Sequence, residues 1–303
     1  MTVEPDSARL PPALSIIVPA HNEATRGFRV LPTIEAAAAQ LNALVIVVCN
    51  GCTDDTAAVA RRSTSVEVVE LSNAGKAAAL NAGDEIAGEV FPRLYLDADV
   101  RITVQALGDI AASLDTPDDA IASPARTYMV EGAPWLVRRY YAALAEIPFL
   151  VQLSSKLMVG RGLYAVNAAG RSRFERFPSM TADDGFIDRL FDSDEKHVIA
   201  DAVAGIPVPT SVEDFLRAKT RAAAGTKELL GWLQVHRPDR VVVANTLPDP
   251  RLSLPRRIQY HLQRGGLLSS KSPMALVDLV VYFAVEAVTR TRLSLAAQRG
   301  PWR

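Results

Sequence analysis

Asp97-Ala98-Asp99 closes a short apolar run, Arg93-Leu94-Tyr95-Leu96. Two carboxylates two residues apart at a strand's end can hold a hard divalent cation, which prefers oxygen ligands, against a diphosphate. Asp also favours turns and helix starts, so the pair alone says little. Its company says more. Pro19-Ala20-His21-Asn22-Glu23, Asn50-Gly51, Gly75-Lys76 and Thr181-Ala182-Asp183-Asp184 each carry residues suited to one part of a nucleotide-sugar site.

Pro19 stiffens its turn, where backbone groups can bracket a base and ribose, although a plain strand-to-helix connection would use the same residues. The Asn50 amide both donates and accepts, so it can bond a base edge or simply turn the chain before Gly51. Gly75-Lys76 is not a P-loop: no Gly precedes Gly75 by five residues, and Ala77 has no hydroxyl for magnesium. A lysine in a helix's first turn opposes the dipole, a placement that a nearby donor phosphate relieves. Asp183 and Asp184 offer a general base. With Asp188, Asp192, Asp194 and Glu195 they also fit a solvated acidic helix face. Arg217, Lys219 and Arg221 can clamp a leaving diphosphate or serve as solvated helix charges. Gly160 and Gly162 can line an acceptor pocket or tighten a hairpin.

These residues need a frame that gathers them. Leu14–Val18, Leu44–Val48, Val66–Leu71 and Leu94–Leu96 read as strands, separated by helices at Val30–Leu41, from Asp54 or Asp55 to Arg62, and at Ala74–Ile86. That alternation predicts a parallel sheet with right-handed crossovers. In such sheets the ligand lies beyond the carboxyl ends of the strands. The polar segments from His21 to Asp99 all fall at those ends and should share one crevice. Beyond Asp99, helices are expected at Val104–Leu114, Trp135–Ile147 and Val212–Ala224. Strand character is expected at Ala120–Pro124 and within Lys156–Asn167, and Pro207 and Pro209 mark a loop. Pro248, Pro250 and Pro255 break the chain before its tail.

The 303 residues are 49% hydrophobic and 22% charged, with net charge -1. That allows one sizeable core or two modest ones. The balance is uneven. From Arg251 to Arg303 nine basic residues face only Asp278 and Glu286, a local +7 that leaves -8 for the rest. A basic tail suits an anionic partner or a solvated face. Met274–Val288 is the most apolar window, shorter than the ~20 residues of a membrane span. Asp278, Tyr282, Glu286 and Arg290 recur every four residues along it, which predicts a docking or membrane-surface helix. Met1–Pro12 lacks the basic start of a secretory signal. Cys49 and Cys52 form a C-x-x-C, but the four histidines offer no paired ligand spacing. Two reduced thiols in a cytoplasmic protein account for them better than redox or zinc chemistry.

Taken together and in order, these motifs resemble the family 2 glycosyltransferases. The closest match is Asn73-Ala74-Gly75-Lys76-Ala77-Ala78-Ala79-Leu80-Asn81-Ala82-Gly83. Ile17–Glu23 is similar to the family's opening nucleotide-binding turn, and Val48–Asp54 to its second strand-end turn, where Asn50 replaces the usual acid. The resemblance implies an α/β GT-A fold: a Rossmann-like, mostly parallel sheet with helices on both faces, and a C-terminal helical extension. The expected division is a tail at 1–12, a transferase domain at 13–225 and a basic, mainly helical extension at 226–303.

The resemblance further implies Pro19, Ala20, His21, Asn22, Glu23, Asn50, Gly75, Lys76, Asp97, Ala98 and Asp99 as donor-binding residues. Asp99 would ligate Mg2+ or Mn2+, and Asp97 would contact ribose or orient the loop. Asp184 would be the catalytic base, with Asp183 as runner-up, in an inverting, non-processive transfer. Gly160, Gly162, Arg217, Lys219 and Arg221 would serve diphosphate or acceptor. The family's acid at Asn50 reads a uracil N–H, so uridine diphosphate donors are favoured. The Gln-x-x-Arg-Trp motif of many relatives is missing from Leu216–Ala222, which disfavours a processive synthase. The partners implied are a nucleoside diphosphate sugar and an acceptor hydroxyl, lipid-linked as one option, with no nucleic acid. The C-terminal helix would meet the inner face of a membrane or a second copy. A degenerate nucleotide-sugar-binding module and a sugar-phosphate nucleotidylyltransferase are the alternatives, though the latter normally has a Gly-rich N-terminal loop absent here.

Overall fold

The computed structural model describes residues 10–24, 28–116, 120–147, 150–151, 155, 157–241 and 274–298. The N-terminal tail through residue 9, Lys156, the prolines at 248, 250 and 255, and seven of the tail's nine basic residues lie outside the described residues. The chain forms two compact units. The first comprises residues up to Ala125, Arg161–Ser179 and Ile199–Ala204; the second comprises Arg126–Gly160, Met180–Val198 and Gly205 onward.

The first unit is built on a seven-stranded sheet in the order β3-β2-β1-β4-β6-β5-β7. In chain order the strands are β1 (Leu14–Ala20), β2 (Ala43–Asn50), β3 (Glu67–Leu71), β4 (Arg93–Leu96), β5 (Ile121–Met129), β6 (Leu163–Val166) and β7 (Lys196–Pro207). Strand β1 pairs in parallel with β2 and β4, and β2 in parallel with β3; β6 runs antiparallel to β4 and β5. Ile16, Ile17, Val18, Val45, Ile46, Val47 and Val48 are almost wholly buried. Continuous β-branched runs are what a parallel sheet covered on both faces selects. Register then fixes the site. Ala20 lies opposite Cys49, and Asn50 opposite Leu71, so the chain leaves these strands at one common edge.

Helices α1 (Leu31–Gln40), α2 (Thr56–Ala60), α3 (Lys76–Ala87) and α4 (Val104–Ala112) connect the strands as the sequence predicts. Helix α3 lies very close to β1: a Cβ on Gly83 would meet Ile17 Cγ2 at 2.4 Å. Its Asp84 is buried and accepts from Tyr95 Oη at 2.7 Å, while Arg93 and Arg171 pair with it at 2.9 and 3.0 Å. Removing one member of such a buried set costs about 3–5 kcal/mol. Asp84 thus anchors the helix whose first residue is Lys76.

The second unit packs α5 (Trp135–Glu146) against two long helices. Helix α6 (Ala168–Arg171) belongs to the first unit, whereas α7 (Asp183–Leu190), α8 (Val212–His236) and α9 (Ala275–Gln298) belong to the second. Tyr140 of α5, Phe215 of α8 and Tyr282 of α9 meet ring to ring, with Tyr140 5.0 Å from Phe215 and 5.5 Å from Tyr282. Val137, Leu279 and Val285 complete this core.

Three features depart from the sequence reading. Strand β7 had no forecast, and α8 continues to His236, so residue 225 falls inside it. Helix α7 ends at Leu190, which places Asp192, Asp194 and Glu195 beyond it, off any acidic helix face. Among the described residues no helix is long and apolar enough to cross a membrane.

Candidate active site

At the sheet edge of the first unit, Asn50 works as a clamp. Its Nδ2 donates to Ala20 O at 2.9 Å, and its Oδ1 accepts from Gly75 N at 2.9 Å. The buried amide therefore joins the end of β1 to the start of α3, with both its polar ends engaged within the protein. Gly51 follows at φ +57, and a Cβ there would overlap Ala74 N at 2.4 Å, so the turn needs glycine. His21 Nδ1 donates to Asn50 O at 2.7 Å, and Asn22 Oδ1 accepts from Thr53 N at 2.8 Å. Thr56 Oγ1 accepts from Glu23 N at 2.8 Å. The turns after β1 and β2 are thus tied into one ledge, as the sequence reading requires.

Gly75 caps α3 in extended backbone, so its lack of a side chain answers no strain there. Lys76 reaches across the edge to Asp97, Nζ to Oδ1 2.7 Å, with both side chains partly exposed. The Asp97–Asp99 loop is fixed through its backbone. Asp97 N donates to Gly162 O at 2.9 Å, and Ala98 O accepts from Val30 N at 3.2 Å. Gly162 thus supports the acidic loop. Asp97 and Asp99 both bring carboxylates to this loop. The donor set is hard oxygen, which suits Mg2+ or Mn2+. No cluster of three or more His, Cys, Asp or Glu gathers among the described residues.

In the second unit Asp184 occupies the first turn of α7, where the helix dipole favours an ionised carboxylate. Its Oδ2 accepts from Gly160 N at 2.8 Å and its Oδ1 from Gly185 N at 2.7 Å. Gly160 sits at φ +67, a left-handed conformation that glycine adopts without strain. Arg126 Nη1 donates to the neighbouring Val159 O at 2.8 Å. Met158 N donates at 2.8 Å to Asp188, itself paired with Lys196 at 3.0 Å and almost wholly buried. Asp183 is also buried, whereas Asp184 is partly exposed.

The cations of α8 divide. Arg217 pairs with Glu213 and Asp214 on its own helix, at 3.2 and 3.5 Å. Lys219 pairs with Glu286 of α9 at 3.3 Å and lies 4.8 Å over the Tyr140 ring. Only Lys219 thereby serves the packing between helices. Arg221 is exposed one turn before Gly225, where an added Cβ would lie 3.2 Å from Thr181 Cβ and 3.3 Å from Ala182 Cβ. Asp99 lies in the first unit and Asp184 in the second.

The chain matches the family model described as glycosyl transferase family 2 over residues 15–174. It belongs to glycosyl transferase family 2. The match takes in every donor-edge residue named above and ends before Asp183. Among solved structures, the chain is similar to the mannosyltransferase PcManGT from Pyrobaculum calidifontis, solved with GDP-Man and Mn2+. The identity is 19%, the TM-score 0.58, and the alignment covers 97% of this chain and 77% of that one. It is also similar to mannosyl-3-phosphoglycerate synthase from Rubrobacter xylanophilus, at 20% identity and TM-score 0.51, covering 77% of each chain. No curated protein matches.

Within this glycosyltransferase, several site-shaping residues gave no sequence signal. Asp188, Lys196 and Arg126 hold the Gly160 turn from separate segments, and none lies in a recognisable motif. Asn81 was visible only as part of the closest match; it holds Phe177 through both its N–H and C=O, at 2.8 and 3.0 Å. Cys49 is buried and its thiol is pushed up to about 12, chiefly by burial, which keeps it protonated and unreactive. A cavity of about 460 Å³ in the second unit, lined by Tyr128, Trp135, Arg138, Arg139 and Tyr141, contains none of the expected site residues.

Proposed function

We propose that this glycosyltransferase moves one sugar from a nucleoside diphosphate sugar to an acceptor hydroxyl, with inversion and without processivity. The observation that carries the reading is the donor ledge, where Asn50, Gly75, Lys76 and the Asp97–Asp99 loop are bonded into one sheet edge. The Lys76 ammonium can turn from Asp97 to a diphosphate with little loss, because an exposed pair contributes about 1 kcal/mol or less. A Mg2+ or Mn2+ ion held by Asp99 would neutralise the diphosphate as it departs.

Asp184 takes the proton of the acceptor hydroxyl as that oxygen attacks the anomeric carbon. The new C–O bond forms as the bond to the donor's terminal phosphate oxygen breaks, and the electron pair leaves with the nucleoside diphosphate. Attack from the face opposite the leaving group inverts the anomeric centre, through a transition state with oxocarbenium character. The two backbone N–H groups on Asp184 orient its carboxylate for this step. Uridine diphosphate donors are favoured on the resemblance to the family as a whole and not on Asn50, whose amide is bonded to Ala20 O and Gly75 N.

The test is donor turnover by the full chain. UDP-, GDP- and dTDP-sugars are incubated with and without Mn2+, and nucleoside diphosphate release is measured. Metal-dependent release of a nucleoside diphosphate supports the reading. Binding without turnover would indicate a degenerate module, and pyrophosphate release on incubation with a nucleoside triphosphate and a sugar 1-phosphate a nucleotidylyltransferase.

A further inference from the structure

Helix α9 faces the protein with its polar side. Asp278 and Tyr282 are buried, and Glu286 accepts from Tyr140 Oη at 3.0 Å and pairs with Lys219 at 3.3 Å. Arg139 lies 3.4 Å from Asp278. Asp278, Tyr282 and Glu286 of the polar stripe thus form the inward seam against α5 and α8. What points outward is mainly apolar, apart from Thr291 and Ser294, whose hydroxyls donate back to helix carbonyls: Leu276 is 65% exposed, Val280 60%, Val288 43% and Leu295 48%. Ala284 is exposed between them. At about 100° per residue these five fall on one side of the helix, along a stripe of roughly 28 Å. Arg290 and Arg292 fall on its two borders by the same geometry.

A soluble helix normally shows the reverse arrangement. We propose that the outward face of α9 lies on an anionic lipid surface. Lipid accounts for both the apolar stripe and its basic borders: aliphatic side chains enter the acyl boundary while arginine stems snorkel toward headgroups. The charge argument separates lipid from a second copy. Arg251, Arg256, Arg257, Arg264 and Lys271 precede α9 in sequence, and the span from Arg251 to Arg303 carries +7. Joining two such faces would bring like charges together, whereas anionic headgroups attract them. The charged inward seam, paired with Arg139 and Lys219, ties the helix to the protein and leaves its other face for the interface.

The experiment is sedimentation of the full chain with vesicles of phosphatidylcholine alone, and of phosphatidylcholine mixed with phosphatidylglycerol. Binding is expected to the anionic vesicles and to fall steeply at about 1 M salt, where screening is nearly complete. Val280→Asp with Val288→Asp should weaken it by about tenfold or more, as should Arg290→Glu with Arg292→Glu. Val235→Asp, an exposed position on α8, should leave it unchanged. These outward variants should keep the wild-type melting midpoint and donor hydrolysis, which separates this test from that of the transfer reaction. The proposal is overturned by absence of vesicle binding, by equal binding to neutral vesicles, or by binding that the α9 variants leave intact. It is overturned equally if light scattering without vesicles shows a dimer that Val280→Asp with Val288→Asp dissolves.

Discussion

Gly160 donates its backbone N–H to Asp184 Oδ2 at 2.8 Å, from a turn held at φ +67. The contact makes the orientation of the proposed base depend on a residue with no side chain. Gly160→Ala should strain the turn by about 1–2 kcal/mol and crowd Arg126, whose Nη1 would lie 3.4 Å from the new Cβ. The expected result is a lower kcat with unchanged donor affinity. Asp184→Asn should lower transfer by about 10²–10⁴-fold while donor binding, measured by calorimetry, persists. Transfer that survives in Asp184→Asn would move the base to Asp183 or elsewhere.

Lys76 and Asp97 form a partly exposed pair, so breaking it should cost less than about 1 kcal/mol of stability. Donor binding should respond far more. Lys76→Met is expected to weaken the affinity for a nucleoside diphosphate by about tenfold to a hundredfold, the worth of a hydrogen bond to a charged group. Asp99→Ala should make donor affinity insensitive to Mn2+. Calorimetry with and without the ion reads both; unchanged affinity in Lys76→Met would show that the ammonium stays on Asp97.

Asn50 stands where the resembling family carries an acid, and the geometry explains why an acid would be costly here. In Asn50→Asp the N–H facing Ala20 O is replaced by a second acceptor, so two oxygens meet without a proton between them. A stability loss of about 1–3 kcal/mol is expected, together with weaker donor binding as the start of α3 loosens. Urea unfolding checks the first and calorimetry the second. A variant as stable as the parent would show that the amide does not join β1 to α3.

The sheet edge was legible because hydrophobic runs and helix spacing depend on local chemistry, and parallel pairing then puts every strand's carboxyl end on one side. Which side chains meet across that edge was not. Nothing near Lys76 in sequence marks Asp97 as its partner, and nothing near Asn50 shows that both amide ends are used inside the protein. The Asp188–Lys196 pair was hidden for a related reason: charged residues between a helix and a strand read as solvated unless burial is known. Strand β7 escaped because Ala200-Asp201-Ala202 interrupts its apolar pattern. On α9 the four-residue period was plain, but a period defines a face without saying which way it points.

Asp278 is 1% exposed, and neither of its carboxylate oxygens accepts a hydrogen bond. Burial pushes its carboxyl above the ordinary range, Arg139 at 3.4 Å opposes that push, and Glu146 adds to it. The folded protein therefore holds this proton to higher pH than the unfolded chain does. The resulting contribution to stability is complete below the ordinary carboxylate range and is lost as pH rises through the raised value. Asp278→Asn removes the titration. The variant should be the more stable of the two at pH 7, with the gap closing as pH falls toward about 4, while distant carboxylates affect both proteins alike. Thermal melts of the pair across that range test it, and a stability difference that stays constant with pH would show that Asp278 shares its proton equilibrium with the unfolded chain.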